Sequence, residues 1–496
     1  MLLIPGDTCW RRDTSDRAAL LVDMAAYFDA AMKAMRKARH TVHLLNWAFE
    51  PQTLFHPQEG CKGPDEDRIA NFLKMLAKDV DVRVLCWKSA LPVAATQHWF
   101  TFADRKDFAG SNVKFVFDGK LPLGACHHQK ALVIDDAVAF CGGGDIGPDR
   151  WDTPLHLDND PRRQKTQHAH GNSKDDFDSR HETMGVVSGA PAKGLGELFR
   201  TRWLRATGEA LEPPPATRPA WPAGVKSQFD GVDVGLSLTM PSWRGAAEVK
   251  EIERLHLHSI ASAKRCIYME NQYFTSPLIA AALAARLAEP DGPEVVLIGT
   301  EHSPSYFDQA TMDKTRVRFI ETLKRADKHG RFQAYSPVTM LGRIIIVHSK
   351  LTIIDDRLVR IGSANINNRS MGFDTECDLS FEAAGRATVG ARREIANVRT
   401  HLIAHWLGCD ETIVEGAIRQ NGGVGKAIEA LRNAGYVRLR PILLPEVTGM
   451  AAVIADYHVG DPFSPRDSWR PGRRKTEASG AARRGRAAVR EAPRSR

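Results

Sequence analysis

The sequence predicts an α/β fold built from two duplicated lobes, and three observations carry that prediction. Six short apolar, β-rich runs in the first half of the chain are answered by six in the second half, in the same order. One phrase is written twice: HHQKALVIDDAVAFCGG from His127 to Gly143, and about 220 residues later HSKLTIIDDRLVRIGSAN from His348 to Asn365. Between the two sets lies ATGEALEPPPATRPAWPAG (206–224), rich in Pro and Ala and without periodicity, which reads as a linker. The lobes are accordingly placed at 1–205 and 225–462, followed by a tail over 463–496.

Taken in order, the chain opens on DTSDRAALLVDMAAYFDAAMKAMRKAR. Asp13, Thr14 and Ser15 are cap candidates, and Leu21, Met24, Phe28, Met32 and Met35 stand at helical spacing, so a first helix is expected. The runs TVHLLNW (41–47), VDVRVLCW (80–87), VKFVFD (113–118), KALVID (130–135), AVAFCGG (137–143) and TMGVVSG (183–189) each read as a buried strand. Their counterparts are RCIYMENQYF (265–274), EVVLIGT (294–300), RFQAYSP (331–337), KLTIID (350–355), RLVRIGS (357–363) and CDLSFEA (377–383).

Composition sets further bounds. The chain has 496 residues, 43% of them hydrophobic, enough for one large core or two ordinary ones. No apolar run is long enough to span a bilayer, and MLLIPGDTCWRRDTSD lacks the apolar core of a Sec signal. A cytoplasmic or peripheral membrane location is expected, with export by a route other than Sec left open. The cysteines have no CxxC and no regular spacing, which indicates free thiols rather than a zinc ribbon or a disulfide framework. The net charge of +8 resides in the tail: residues 466–496 hold 11 Lys/Arg and 3 Asp/Glu, which leaves 57 of each sign in residues 1–465. A neutral body argues against a nucleic-acid groove. With almost no large apolar residues, the tail is expected to be disordered and merely solvated, with an anionic-membrane tether and, behind it, nucleic-acid contact as the alternatives.

In both copies of the repeated phrase His, Lys and Asp follow one spacing: His128, Lys130, Asp135 and His348, Lys350, Asp355. On a strand each His and its Lys share a face. The imidazole can attack or donate a proton, and the ammonium can hold an anionic oxygen. Seven residues after each Asp a turn begins, with Gly142 and Gly143 in one copy and Gly362 and Ser363 in the other. Glycine there permits close backbone approach, while Ser363 and Asn365 can donate to a phosphoryl oxygen.

HxKxxxxD followed by six residues and GG or GS resembles the phospholipase D superfamily. Finer features are similar to the phospholipases D proper: IYMENQYFTSP (267–277), GSANINNRSM (362–371), DRWDTPLH (149–156), and RHETMGVVSGAPAKGLGELFRTRW, where Arg180 and Glu182 replace the Trp and Asp of the family pattern. The resemblance implies two lobes, each a mixed β-sheet flanked by helices, with the active site at the lobe interface. It implies hydrolysis of a glycerophospholipid to phosphatidic acid plus its head-group alcohol, with water or another alcohol as acceptor. His128 is then the nucleophile and His348 the acid that protonates the leaving alcohol, and Lys130, Lys350 and Asn365 clamp the non-bridging oxygens.

Replacing a group on phosphorus needs a nucleophile on one side and an acid on the other, so two histidines are required and one lobe supplies each. Each imidazole also needs an acceptor on its other nitrogen, and Glu182 and Glu376, at corresponding positions, offer one apiece. Asp135 and Asp355 are expected to anchor the motif strand. The polar segment 152–181 reads as a lid near the pocket mouth; His168 and His170 invite a metal reading, but the chemistry needs neither metal nor cofactor. The expected partner is a phospholipid membrane surface and the expected state a monomer. Cardiolipin synthesis and nuclease-type phosphodiester cleavage are the alternative activities.

Overall fold

Fifteen strands run in one continuous hydrogen-bonded path across the molecule, and the place where the two repeats meet is a strand pair in its middle. A computed structural model describes the chain except residues 60–62, 89–105, 164–178, 385–387, 468–469 and 492–496. The first repeat contributes β1 (Arg11–Val22), β2 (Thr41–Asn46), β3 (Asp81–Trp87), β4 (Lys114–Asp118), β5 (Ala131–Ile134), β6 (Val138–Gly142), β7 (Ser179–His181) and β8 (Thr183–Gly189). The second contributes β9 (Phe229–Met240), β10 (Val249–Lys250), β11 (Cys266–Glu270), β12 (Glu294–Ile298), β13 (Phe332–Pro337), β14 (Ile345–Val347), β15 (Leu351–Ile354), β16 (Leu358–Gly362), β17 (Glu376–Glu382) and β18 (Leu439–Pro441).

The order across the sheet is β18-β13-β12-β11-β15-β16-β17-β9-β1-β8-β6-β5-β2-β3-β4, with β10 attached to β9. The six strands outward from β1 (β8, β6, β5, β2, β3, β4) therefore mirror six outward from β9 (β17, β16, β15, β11, β12, β13), and β18 extends the second half by one. Each half is mixed: β2, β3 and β4 are parallel, whereas β2–β5, β5–β6 and β6–β8 are antiparallel, and the second half repeats the pattern. The inner strands are buried on both faces, which explains their unbroken apolar runs. The largest apolar cluster is shared by both repeats, joining Val133, Cys141, Val187 and Phe199 to Ile353, Ile361, Leu379 and Trp406. Two further clusters lie on the opposite sheet faces, one mainly in each repeat.

Three expectations are corrected. Asp13, Thr14 and Ser15 do not cap a helix; they lie within β1, and the helix spans Met24–Met35. β1 is hydrogen-bonded on both edges, to β8 and to β9, and alternates faces, sending Ala18 and Leu20 into the shared cluster and Ala19 and Leu21 into the outer one. The tail is not disordered as a whole: Pro471–Glu491 is a helix. It buries Arg474, Ala481 and Val489, and a methyl group on Gly485 would stand 2.2 Å from the Leu278 carbonyl oxygen of the helix Pro277–Leu287. Small residues allow backbone-to-backbone packing that a count of large apolar residues does not register. Finally, His128 and Lys130 precede β5, and His348 and Lys350 precede β15, so the motif leads into its strand.

Between the helix Ala190–Thr207 and β9 no helix or strand interrupts residues 208–228, the span that contains the Pro-rich stretch. None of the described helices is long and apolar enough to cross a membrane. The described cysteines are free thiols, Cys409 half-buried and the others buried.

Candidate active site

Each motif is fixed at its far end by its aspartate. The Asp135 carboxylate accepts the backbone amides of Arg39, His40 and Thr41, each at 2.8 Å. Asp355 accepts those of Lys264, Arg265 and Cys266 at 2.9, 2.7 and 2.9 Å. Both aspartates sit in the left-handed region, with φ of 53° and 51°, a conformation that Asp tolerates at a turn better than most residues. Their structural use is to tie the turn after β5 to the start of β2, and the turn after β15 to the start of β11.

At the near end the two repeats exchange partners. The His128 amide donates to the Thr375 carbonyl at 2.9 Å, and its Nδ1 lies 2.9 Å from Glu376 Oε2. The His348 amide donates to the His181 carbonyl at 2.8 Å, and its Nδ1 is hydrogen-bonded to Glu182 Oε2. Each imidazole therefore takes its carboxylate from the other repeat. The backbone enforces this, because β7 pairs in parallel with β14 from Ser179↔Ile345 to His181↔Val347. On the other side Cys126 and Thr375 are stitched by Thr375 N to Cys126 O at 3.0 Å and Cys126 N to Asp374 Oδ1 at 2.8 Å.

Each lysine folds back onto the histidine of its own motif. Lys130 Nζ donates to the His128 carbonyl at 2.8 Å and lies 3.3 Å from Asp145 Oδ2. Lys350 Nζ donates to the His348 carbonyl and stands 3.0 Å from its Nδ1. A methyl group on Gly143 would come within 2.5 Å of Glu182 Oε1 and 2.9 Å of Lys350 Cδ, so the bare turn of one repeat makes room for the lysine of the other. Trp47 closes one side, with its ring under the Lys130 ammonium at 5.7 Å and edge-on to His128 at 6.1 Å.

Burial governs the protonation of this group. Burial, then Lys130 and Lys350, holds the His128 imidazole well below its ordinary value; burial, then Lys350 and Arg150, does the same for His348. Burial pushes Glu182 up to about 7 and Glu376 up to about 8, and pushes Lys350 down to about 7. Each His–Glu pair thus shares a proton in a desolvated setting, which leaves Nε2 of either ring as the basic atom. Two such nitrogens flanked by two ammonium groups can attack a phosphodiester, protonate its leaving oxygen and hold its charge.

Ser363 takes a different place from the expected one. Its hydroxyl donates to Glu376 Oε2 at 2.5 Å, and Ser370 donates to Oε1 at 2.6 Å, so Ser363 fixes the carboxylate behind His128 instead of facing a phosphoryl oxygen. Asn365 is 5% exposed and its Oδ1 has no hydrogen-bond partner. Asp145, fifteen residues after Lys130 as Asn365 is after Lys350, was missed in the sequence, although the repeat places it there. His168 and His170 lie outside the described residues.

A family model described as "Cardiolipin synthase, PLD-like domain" matches residues 256–396, which contain the second motif. The chain is similar to Phospholipase D A of Dictyostelium discoideum, 25% identical over 428 residues, covering 73% of this chain and 32% of that protein. It is similar to Phospholipase D alpha 4 of Arabidopsis thaliana, 25% identical over 448 residues, covering 68% of this chain and 58% of that protein. It therefore spans between about a third and three-fifths of these relatives' length. In fold it is similar to the crystal structure of phosphatidylserine synthase of Haemophilus influenzae, with a TM-score of 0.53 at 13% identity over 78% of this chain and 86% of that one.

Proposed function

The chain belongs to the phospholipase D superfamily, and from that premise we propose that it cleaves glycerophospholipids to phosphatidic acid and a free head group through a phosphohistidine on His128. The observation that carries this reading is the reciprocal exchange, in which His128 rests on Glu376 and His348 on Glu182. With Nδ1 of each ring committed to a carboxylate, Nε2 of His128 is free to attack phosphorus. The P–O bond to the head group breaks as the new P–N bond forms, and His348 Nε2 passes its proton to the departing oxygen. Burial, and after it the positive field of Lys350, Arg150, Arg180 and Lys130, keeps His348 neutral, and an incoming anionic diester offsets that field. In the second half His348 takes a proton from water, whose oxygen displaces His128. Lys130 and Lys350 hold the non-bridging oxygens throughout.

A phospholipid surface is the proposed partner. The described part of the helix Pro471–Glu491 turns Arg473, Lys475, Arg483, Arg484, Arg486 and Arg490 outward while its small residues face the body. Each basic group near an anionic leaflet contributes about 1 kcal/mol.

The test is head-group release over a panel of phospholipids, run at one fixed ethanol concentration. All substrates pass through one intermediate, so the ratio of phosphatidylethanol to phosphatidic acid should be the same whichever head group leaves. A ratio that follows the leaving group would remove the phosphohistidine. The second reading, favoured by the description of the matched family model, is transfer of the phosphatidyl group to a lipid hydroxyl. Supplying phosphatidylglycerol as acceptor separates the two, since cardiolipin accumulates at the expense of phosphatidic acid only under the second.

A further inference from the structure

Directly behind Glu182 lies a group of polar side chains that the phosphodiester chemistry does not use. Asp23, His156, His181 and His405 each present one nitrogen or carboxylate oxygen, and these four atoms lie within 4.8 Å of one another. The side chains of Asp23, His156 and His181 have no solvent exposure, and His405 is partly exposed.

The imidazoles are held from outside. His156 Nδ1 lies 3.0 Å from Asp152 Oδ2, and His181 Nε2 lies 3.0 Å from Glu270 Oε2. Glu270 is itself fixed by Ser349 at 2.8 Å, Trp406 Nε1 at 2.8 Å and Tyr268 at 2.6 Å. A carboxylate on one nitrogen sets the tautomer and leaves the opposite nitrogen as the better electron donor, the arrangement that supports histidine ligands of metals. The inward atoms are left unsatisfied: Asp23 Oδ2 and His181 Nδ1 are buried and have no well-aligned hydrogen-bond partner. His156 Nε2 stands 3.2 Å from His405 Nε2 and 3.7 Å from Asp23 Oδ2, and His181 Nδ1 stands 3.0 Å from Asp23 Oδ1. Ligands about 2.0–2.1 Å from a tetrahedral zinc ion are separated from one another by roughly 3.3 Å.

We propose that Asp23, His156, His181 and His405 form a binding site for one divalent transition-metal ion, with zinc the ion that three imidazoles and one carboxylate suit best. Magnesium and calcium prefer all-oxygen sites of higher coordination. Its service would be structural. His156 and His181 stand near the two ends of the 152–181 segment, and Asp23 and His181 flank Glu182: the Asp23 amide donates to the Glu182 carbonyl at 2.8 Å, and Asp23 Oδ1 accepts the Glu182 amide at 3.2 Å. His405 comes from the helix Thr388–Leu407 of the second repeat. An ion there would pin the second repeat to the first beside the carboxylate that orients His348, without touching the phosphate.

The rival is a metal-free network. Burial works against a charge on His181, but Asp23 and Glu270 prevail and push it up to about 10, so its imidazolium could bridge them alone. Metal content decides between the two, measured on the untagged full-length protein purified without added metal. The expected result is about one zinc per chain that survives gel filtration, and a visible absorption band of four-coordinate geometry when cobalt replaces it. His405→Gln, at the partly exposed corner, should fold and lose the ion, and Asp152→Asn should weaken zinc binding by about 10–100-fold. No bound metal, together with no rise in melting temperature when zinc is added to chelator-treated protein, would overturn the proposal in favour of the imidazolium bridge. Retention of zinc in His405→Gln would place the ion elsewhere and overturn it equally.

Discussion

His128 and His348 are alike in sequence context and each rests on a carboxylate of the other repeat, so single substitutions at the two should have parallel effects on natural lipid. His128→Ala and His348→Ala should each lower turnover of natural lipid by about 10⁴-fold or more, because nucleophile and acid act as a unit. Glu376→Gln and Glu182→Gln should each cost about 10²–10⁴-fold, by releasing an imidazole whose Nδ1 they hold. Steady-state head-group release measures all four, and an alanine variant with substantial activity would refute the two-histidine scheme. Lys350 sets a pH limit. Burial lowers it to about 7, so it carries charge below that pH and loses it above. The alkaline limb of kcat/KM, which reports the free enzyme, should therefore fall near pH 7. Lys350→Arg keeps its charge and should move that limb to higher pH, even at lower absolute activity. An unmoved limb would show that another group governs it.

Strands and helices were legible to the extent that their packing is made by large apolar side chains. The inner repeated runs are buried on both faces and so announce themselves as unbroken apolar stretches, whereas β4 and β13, nearer the sheet edges, are partly exposed and read less clearly. β1 was not legible, because Leu21, Met24 and Phe28 keep helical spacing across a strand-to-helix junction. β9 was passed over because Gly231, Gly235, Asp230 and Asp233 dilute its alternation. The terminal helix was hidden by the smallness of its buried face. That helix gives a prediction of its own: Gly485→Ala should destabilise the protein by about 1–3 kcal/mol, since its methyl group would meet backbone rather than a yielding side chain. Urea unfolding of the two proteins tests it, and equal midpoints would mean that the helix is not packed on Pro277–Leu287. Deleting residues 466–496 should likewise lower the melting temperature, an effect no disordered tail would have.

At the scale of the whole molecule the proposed roles fall one to each repeat, and that division can be read kinetically. With a nitrophenyl ester, whose leaving group needs no proton, His348→Ala and Glu182→Gln should still release a burst of nitrophenol equal to the enzyme present, then stall for want of a base. His128→Ala and Glu376→Gln should show no burst. Bursts in both sets, or in neither, would reject the assignment of roles. The candidate residues themselves were legible, because one phrase occurs twice. Which carboxylate serves which histidine was not, because the partners are separated by 248 and 166 residues and meet only once β1 and β9 have joined.

The exchange of carboxylates between the halves has a consequence for ancestry. Two identical subunits related by a twofold axis would trade partners in just this way, each completing the other's histidine. In such a dimer the two histidines are interchangeable, and any substitution strikes both at once. A single chain carrying both halves escapes that constraint. Here Asp145 faces Lys130 where the other half has Asn365, and Gly143 stands where the other half has Ser363. Covalent fusion is what frees the two halves to diverge in this way, one residue at a time.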